Sequence, residues 1–236
     1  MSPVFEPDDL IKDRFRIERL LGSGREGEVF VALDEKMGSR VCVKVLQPRC
    51  SEKDARERSA QEARLMRRID SPHVVKVHDV DWYKDRAYLV MPVLTGMTLR
   101  ERLEKGRLEA DEAEYILRGL LQGLEAAHRE GILHRDISPA NVFLKKDSSH
   151  PMQWPCPVIL DLGVDSKGTS GYIAPELESG GTPGNASDIY SVGILAYEML
   201  TGRRPTNGCK SLHETCLLYT SPSPRDATLS RMPSSA

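Results

Sequence analysis

The chain has 236 residues, 39% apolar and 29% charged, with a formal net charge of −2. This is the composition of an ordinary globular protein, and the near-neutral charge gives no basic surface for nucleic acid or an anionic membrane. No apolar run is long enough to span a bilayer. The cysteines Cys42, Cys50, Cys156, Cys209 and Cys216 show no paired spacing, so they are expected to be reduced thiols in a cytoplasmic protein.

Met1 to Asp9 is acidic, contains two prolines and lacks the basic and apolar regions of a signal peptide; residues 1–14 are expected to form an N-terminal tail. Phe15 to Leu21 alternates charged and apolar residues before Gly22, which predicts a strand entering a glycine-rich turn. Val29 to Leu33 and Arg40 to Leu46 predict two strands around a turn at Met37-Gly38-Ser39. Ser51 followed by Asp54 resembles a capping box. The charged helix after it places Ala55, Ser59, Glu62, Met66 and Ile69 on roughly one face. Val74 to Val80 and Ala87 to Met91 predict two further strands. Residues 15–91 therefore read as a small, mostly antiparallel sheet carrying one helix.

Beyond the connecting segment 92–96 the pattern turns helical. Thr98 is expected to cap a short helix ending at Gly106. Asp111 to Glu130 is the clearest helix: Ile116, Leu120, Leu124 and Ala127 recur every three or four residues and Gly131 supplies the C-cap. Ser187 to Leu200 predicts a second apolar helix closed by Gly202.

The chemistry lies in the polar clusters between these elements. Gly22-Ser23-Gly24-Arg25-Glu26-Gly27-Glu28-Val29 fits G-x-G-x-x-G-x-V, in which glycines let the backbone approach phosphates without a Cβ in the way. A dinucleotide-binding turn fits the same pattern, but that turn opens a helix, whereas this one lies between two strands. Lys44, in Val41-Cys42-Val43-Lys44, either points to solvent or holds an anion, and the glycine loop upstream favours a phosphate. Such a lysine needs an acid to hold it, and Glu62 is the candidate on the following helix, although spacing alone leaves Glu57 open. His134-Arg135-Asp136-Ile137-Ser138-Pro139-Ala140-Asn141 fits H-R-D-x-x-x-x-N, and Asp161-Leu162-Gly163 fits D-F-G with Leu for Phe. Ala174-Pro175-Glu176 and the Asp188-to-Gly193 segment, D-x-x-S-x-G, complete the series.

In this order and on these elements, the motifs resemble the eukaryotic-type protein kinase domain, most closely its bacterial Ser/Thr branch, from about Phe15 to Pro205. The resemblance implies an α+β, bilobal protein kinase-like fold. Residues 15–91 would form the small lobe, 92–96 a hinge, and 97–215 a larger, incomplete helical lobe. It implies ATP and Mg²⁺ as cofactors and a protein hydroxyl as acceptor. Asp136 would orient the acceptor and take its proton. Asn141 and Asp161 would bind Mg²⁺, which demands oxygen ligands. Leu21, Gly22, Ser23, Gly24 and Gly27 would cover the phosphates that Lys44 binds, and Glu62 would hold Lys44 in place. Val29, Cys42 and Phe143 would sandwich adenine, Met91 would stand behind it, and Pro92 and Leu94 would offer it backbone groups.

The pattern also departs from the family. Ser138 stands where a lysine usually contacts the γ-phosphate, and the segment from Val164 to Gly171 is far shorter than the usual activation loop. Lys145 to Pro157 resembles an insertion. An ATP-binding pseudokinase or scaffold is therefore the alternative reading. A small-molecule kinase is a third, which the A-P-E segment argues against. Thr169, in Gly168-Thr169-Ser170-Gly171-Tyr172, keeps Ser/Thr ahead of Tyr as the acceptor. Residues 216–236 read as an artefact: Cys216 to Asp226 and Ser230 to Ala236 back-translate in one frame to the two ends of a sequencing adapter. The helices that close the large lobe, one of which supplies an arginine to Glu176 in the family, are then expected to be missing. The apolar faces of Asp111 to Glu130 and Ser187 to Leu200 would be partly bare.

Overall fold

Alternating side chains from Phe15 onward put Phe15 and Ile17 on one face of a strand, and both are almost completely buried. In the computed structural model, which describes residues 3–24, 27–47, 65–84, 86–146, 154–162 and 168–205, this strand joins a six-stranded sheet. Its members are β1 (Leu10–Ile11), β2 (Phe15–Ser23), β3 (Gly27–Asp34), β4 (Ser39–Leu46), β5 (Asp79–Tyr83) and β6 (Arg86–Pro92), in the order β1-β2-β3-β4-β6-β5. Every neighbouring pair is antiparallel.

The sheet is buried on both faces. Phe15, Ile17, Phe30, Val43, Tyr88 and Val90 build one apolar cluster, and Phe5 and Ile11 complete it from the N-terminal side. Phe5 packs edge-on against Phe30 at 5.8 Å between ring centres, and the Val4 N–H donates to Glu28 Oε2 at 2.8 Å. The segment ahead of Phe15 is thus no tail. It covers an apolar face that water would otherwise meet, and it belongs to the small lobe.

One further expectation needs correction. Val74 to Val80 is not one strand. Only Asp79 and Val80 enter β5, while Val74 makes a single parallel bridge to Ile159. Val74, Val75 and Val77 are buried although they form no strand, because their backbone serves as a strap: Val75 N–H donates to Ile159 O at 2.9 Å, and Ile159 N–H to His73 O at 2.8 Å. The helix expected from Ser51 is described only at its end, Leu65 and Met66; the remainder lies outside the described residues.

The larger lobe begins with β7 (Gly96–Thr98) and α1 (Leu99–Leu103). Thr98 caps α1 as expected, in a full capping box: Thr98 Oγ1 accepts from Glu101 N at 3.2 Å and Glu101 Oε2 from Thr98 N at 2.6 Å. The helix stops short of Gly106, which takes φ +120° in the following turn. Next come α2 (Ala110–Arg129), β8 (Val142–Lys145), β9 (Cys156–Ile159), α3 (Pro175–Glu178) and α4 (Asn185–Thr201). β7, β8 and β9 form a small antiparallel sheet.

The stripe Ile116, Leu120, Leu124 and Ala127 on α2 is buried against Val192, Leu195 and Met199 of α4 in one core. Each such side chain contributes about 1.5–3 kcal/mol, and truncating Leu120 to Ala would cost about 2–5 kcal/mol. On the outer side, Leu121, Ile189 and Tyr190 stay exposed. A groove of about 420 Å³ there is lined by Leu121, Leu124, Glu125, His128, Arg129, Asn185 and Ile189. Trp154 stacks on Tyr115 of α2 at 5.7 Å, anchoring the end of the Lys145–Pro157 segment. The reading of residues 216–236 lies outside the described residues.

Candidate active site

Strand register assembles the small-lobe side of the cleft. Val29 pairs with Lys44 and Lys44 with Leu89; in the next row Val31 pairs with Cys42 and Cys42 with Met91. Val29, Cys42 and Met91 are only partly buried, as is Phe143, which pairs with Thr98 in the other lobe. Burial raises the Cys42 thiol above its ordinary value, keeping it a neutral apolar group. Pro92 closes β6 opposite Val41, and Leu94 follows in the partly buried connection to β7. Beside Met91 lies a small cavity of about 20 Å³ lined by Lys44, Met66, Val75, Val77, Leu89, Met91, Asp161 and Leu162.

The glycine turn divides into two functions. Leu21 is exposed, and Gly22 and Ser23 pair with Val29 and Glu28. A Cβ at Gly22 or Gly24 would meet nothing within 4 Å, so the turn is open to a ligand on that side. Gly27 is different: a Cβ there would stand 2.1 Å from Val45 O. This third glycine is required by the close approach of β4, independently of any phosphate.

Lys44 is 3% exposed, and its Nζ lies 2.8 Å from Asp161 Oδ1. An ammonium so enclosed needs a carboxylate beside it, since unpaired burial of a charge is prohibitive. The sequence reading gave that role to Glu62, which lies outside the described residues along with Glu57; the partner seen here is Asp161. Asp161 adopts φ +57°, a left-handed conformation uncommon outside glycine.

The loop from His134 to Asn141 hangs on Asp188. This buried carboxylate accepts from His134 N at 2.9 Å and Arg135 N at 2.8 Å, and it lies 2.7 Å from His128 Nε2. Arg135 takes φ +66° at the bend so held. His134 has Nε2 2.8 Å from Leu160 O, and its Nδ1 accepts the Asp136 N–H at 3.2 Å. Those partners define a neutral ring protonated at Nε2. Burial, the larger effect, holds its value below that of free imidazole against the pull of Asp188.

Asp136 is positioned twice over. Asn141 Nδ2 donates to its backbone oxygen at 2.8 Å and to Oδ2 at 3.0 Å, while Thr169 Oγ1 donates to Oδ1 at 2.6 Å. These bonds orient the Asn141 amide so that Oδ1 remains as its acceptor. Ser138 is 1% exposed, and its hydroxyl has no hydrogen-bond partner among the described residues. The position is enclosed, so a lysine there would have to displace its surroundings.

Sequence reasoning missed a second network. Tyr172 OH donates to Glu198 Oε2, and Arg100 donates from Nη1 to Glu198 Oε1 at 3.2 Å and from Nη2 to Tyr172 OH at 3.1 Å. Tyr172 follows Gly171 and Glu198 lies on α4, so only folding reveals the pairing. Glu176, for which the resemblance implied an arginine, is exposed and accepts from Ser187 Oγ at 2.7 Å. It carries no burial cost that an arginine must relieve.

The brought-together set is a cleft between two lobes, with a lysine–aspartate pair on one side and an aspartate–asparagine–threonine cluster on the other. Among the described residues, no group of three or more His, Cys, Asp or Glu is placed to hold a metal. The oxygens that suit a hard cation are those of Asp161 and Asn141. Residues 15–224 match the protein kinase domain family. The chain is 36% identical over 223 residues to the serine/threonine-protein kinase pkn2 of Myxococcus xanthus, covering 87% of this chain and 26% of that protein. It is 33% identical over 218 residues to the serine/threonine-protein kinase PknA of Mycobacterium tuberculosis, covering 84% and 49%. It thus spans about half or less of the length of these relatives. The crystal structure of the Mycobacterium tuberculosis PknI kinase domain superposes with a TM-score of 0.73 at 25% identity, covering 86% of this chain and 80% of that one. Fold, motif order and relatives agree, and the chain belongs to the protein kinase domain family.

Proposed function

We propose that the protein transfers the γ-phosphate of ATP to Ser or Thr hydroxyls of a protein substrate, with Mg²⁺. The observation that carries this reading is the Thr169 hydroxyl lying 2.6 Å from Asp136 Oδ1. An aliphatic hydroxyl can reach this carboxylate at proton-transfer distance. Asp136 takes the proton of the acceptor hydroxyl as its oxygen bonds to the γ-phosphorus; the bond from that phosphorus to the β,γ-bridging oxygen breaks, and ADP leaves. Lys44 binds the α- and β-phosphates once it exchanges Asp161 for them. Asp161 and Asn141 would hold Mg²⁺, which when bound neutralises charge on the phosphate oxygens. Gly22, Ser23 and Gly24 cover the phosphates with backbone. Val29, Cys42 and Phe143 exclude water around adenine, while Pro92 and Leu94 supply backbone groups to its edge.

Among the described residues no helix is long and apolar enough to cross a membrane. We assign the catalytic domain to the cytoplasm, where ATP is available. The enclosed Ser138, with no lysine in its place, favours the second reading, an ATP-binding pseudokinase.

The deciding experiment gives the full-length protein labelled ATP, Mg²⁺ and generic protein substrates. Wild type is expected to transfer phosphate to serine and threonine. Asp136→Asn is expected to bind ATP as wild type does and to lose about 100-fold or more in rate. Nucleotide binding by wild type without transfer to any substrate would instead establish the pseudokinase reading.

A further inference from the structure

Two arginines meet the segment that follows Thr169. Arg204 lies on an exposed turn after α4, and its Nη1 donates to Ser170 O at 2.7 Å. Its guanidinium carbon stands 5.7 Å from the centre of the Tyr172 ring. A Cβ added at Gly171, which has φ +88°, would come within 2.2 Å of Arg204 Nη1, so the guanidinium lies directly on this backbone. Among the described residues Arg204 Nε and Nη2 make no hydrogen bond, and the residue is exposed. It is a pinned cation with donors to spare, bonded to the residue that directly follows the threonine touching Asp136.

Arg100 approaches from the other side. Its backbone N–H donates to Pro139 O in the Asp136 loop at 2.9 Å, and its side chain remains 43% exposed while bonding Glu198 and Tyr172. Glu198 is the carboxylate of this network, and it is buried with both oxygens occupied, one by Tyr172 and one by Arg100. Glu198 is therefore saturated by Arg100 and Tyr172, and Arg204, which stands at the Tyr172 ring, is not a member of that pair. Glu101, the acid nearest in sequence to Arg100, is engaged in capping Thr98.

Resting on the kinase reading above, we propose that Arg204, supported by Arg100, forms a specificity subsite for an anionic side chain, carboxylate or phosphate, next to the phosphoacceptor of the protein substrate. The planar guanidinium suits either anion, because its parallel N–H groups match their oxygens. Arg100 serves the subsite by neutralising Glu198, which would otherwise repel the incoming anion and attract a basic peptide.

The test uses the full chain and peptides sharing one acceptor, with Glu, phosphoserine, Ala or Arg placed in turn at each neighbouring position. At one or more positions the Glu or phosphoserine peptide is expected to show a KM about fivefold below its Ala counterpart, with the Arg peptide above it. Preference for either anion supports the subsite and identifies which one it takes. Arg204→Glu is expected to invert the order of Glu and Arg peptides. Arg204→Lys, which keeps the charge, should preserve that order even if loss of the Ser170 bond lowers the rate throughout. A merely structural Arg204 would change all peptides alike. Equal KM values across the wild-type set overturn the subsite and leave the kinase reading standing, whereas transfer to no peptide overturns both.

Discussion

Asp188 offers the sharpest test of how this site is held. Replacing it with Ala removes the acceptor for His134 N and Arg135 N, at 2.9 and 2.8 Å, and the partner of His128 Nε2 at 2.7 Å. His134 is fully buried, so water cannot replace the lost bond. Each buried N–H left unsatisfied costs about 1–3 kcal/mol, so the two together cost about 4 kcal/mol. For a domain of this size that corresponds to a fall in Tm of about 8–16 °C. Arg135 also sits at φ +66°, a conformation that persists only while its surroundings impose it. Released, the loop would carry Asp136 away from Thr169 and Asn141. Thermal unfolding followed by circular dichroism measures the first effect, and single-turnover phosphotransfer the second. Asp188→Asn, which keeps one acceptor oxygen, should lose about half as much stability. A Tm within about 3 °C of wild type for Asp188→Ala, with transfer intact, would refute the claim that this carboxylate holds the loop.

Other perturbations follow from the same geometry. Lys44→Met breaks the ion pair and leaves the 29% exposed Asp161 carboxylate to water, so the unliganded Tm should fall by a few degrees, while stabilisation by Mg²⁺-ATP in a thermal shift assay should be abolished. An undiminished shift would remove Lys44 from the nucleotide site. Tyr172 is raised from 10.0 to about 12, first by burial and then by its bond to Glu198. The fold therefore favours the neutral phenol; that stability is complete below pH 10 and is lost as pH rises through about 12. Tyr172→Phe should flatten this alkaline limb of a Tm-against-pH curve, and superimposable curves would count against the network. Asp34 is held below its ordinary value, chiefly by hydrogen bonding from Arg14, so its contribution is present above pH 3.8 and disappears as acid protonates it. Asp34→Asn should be less stable than wild type at neutral pH, with the gap closing in acid. Ser138→Ala removes a buried hydroxyl that has no partner and should raise stability by up to about 1 kcal/mol in urea titration; a loss would reveal a bond to that oxygen.

Where the sequence spoke through local pattern, the fold follows it. The Thr98–Glu101 box starts α1, and the period of Ile116, Leu120 and Leu124 gives α2 within a residue at each end. The glycine at 202 ends α4 in a left-handed turn. Illegible features depend on contacts distant in sequence. Val74, Val75 and Val77 are apolar because they are buried in a strap beside Ile159 of β9, and such a pattern alone cannot tell a strap from a strand. Phe5 and Ile11 have too few apolar neighbours to make a period, so their role on the sheet is visible only once Phe30 and Tyr88 are folded beside them. The motif residues Lys44, Asp136, Asn141 and Asp161 were all legible by type and spacing. The Lys44–Asp161 contact was not, because motif spacing does not show which side chains meet in space. Arg100, Tyr172 and Glu198 carry no local signature at all.

The small lobe's boundary matters for anyone dividing this protein into parts. Family similarity begins at residue 15, and a cut placed there would look natural. It would also remove Phe5, β1 and the Val4 N–H that engages Glu28. Glu28 lies one residue past Gly27, on the strand whose opposite face carries Val29 toward the cleft. The first residues therefore brace the glycine turn from behind, through the thickness of a single strand. A shortened protein would keep every recognised motif and yet lose part of the support beneath one of them.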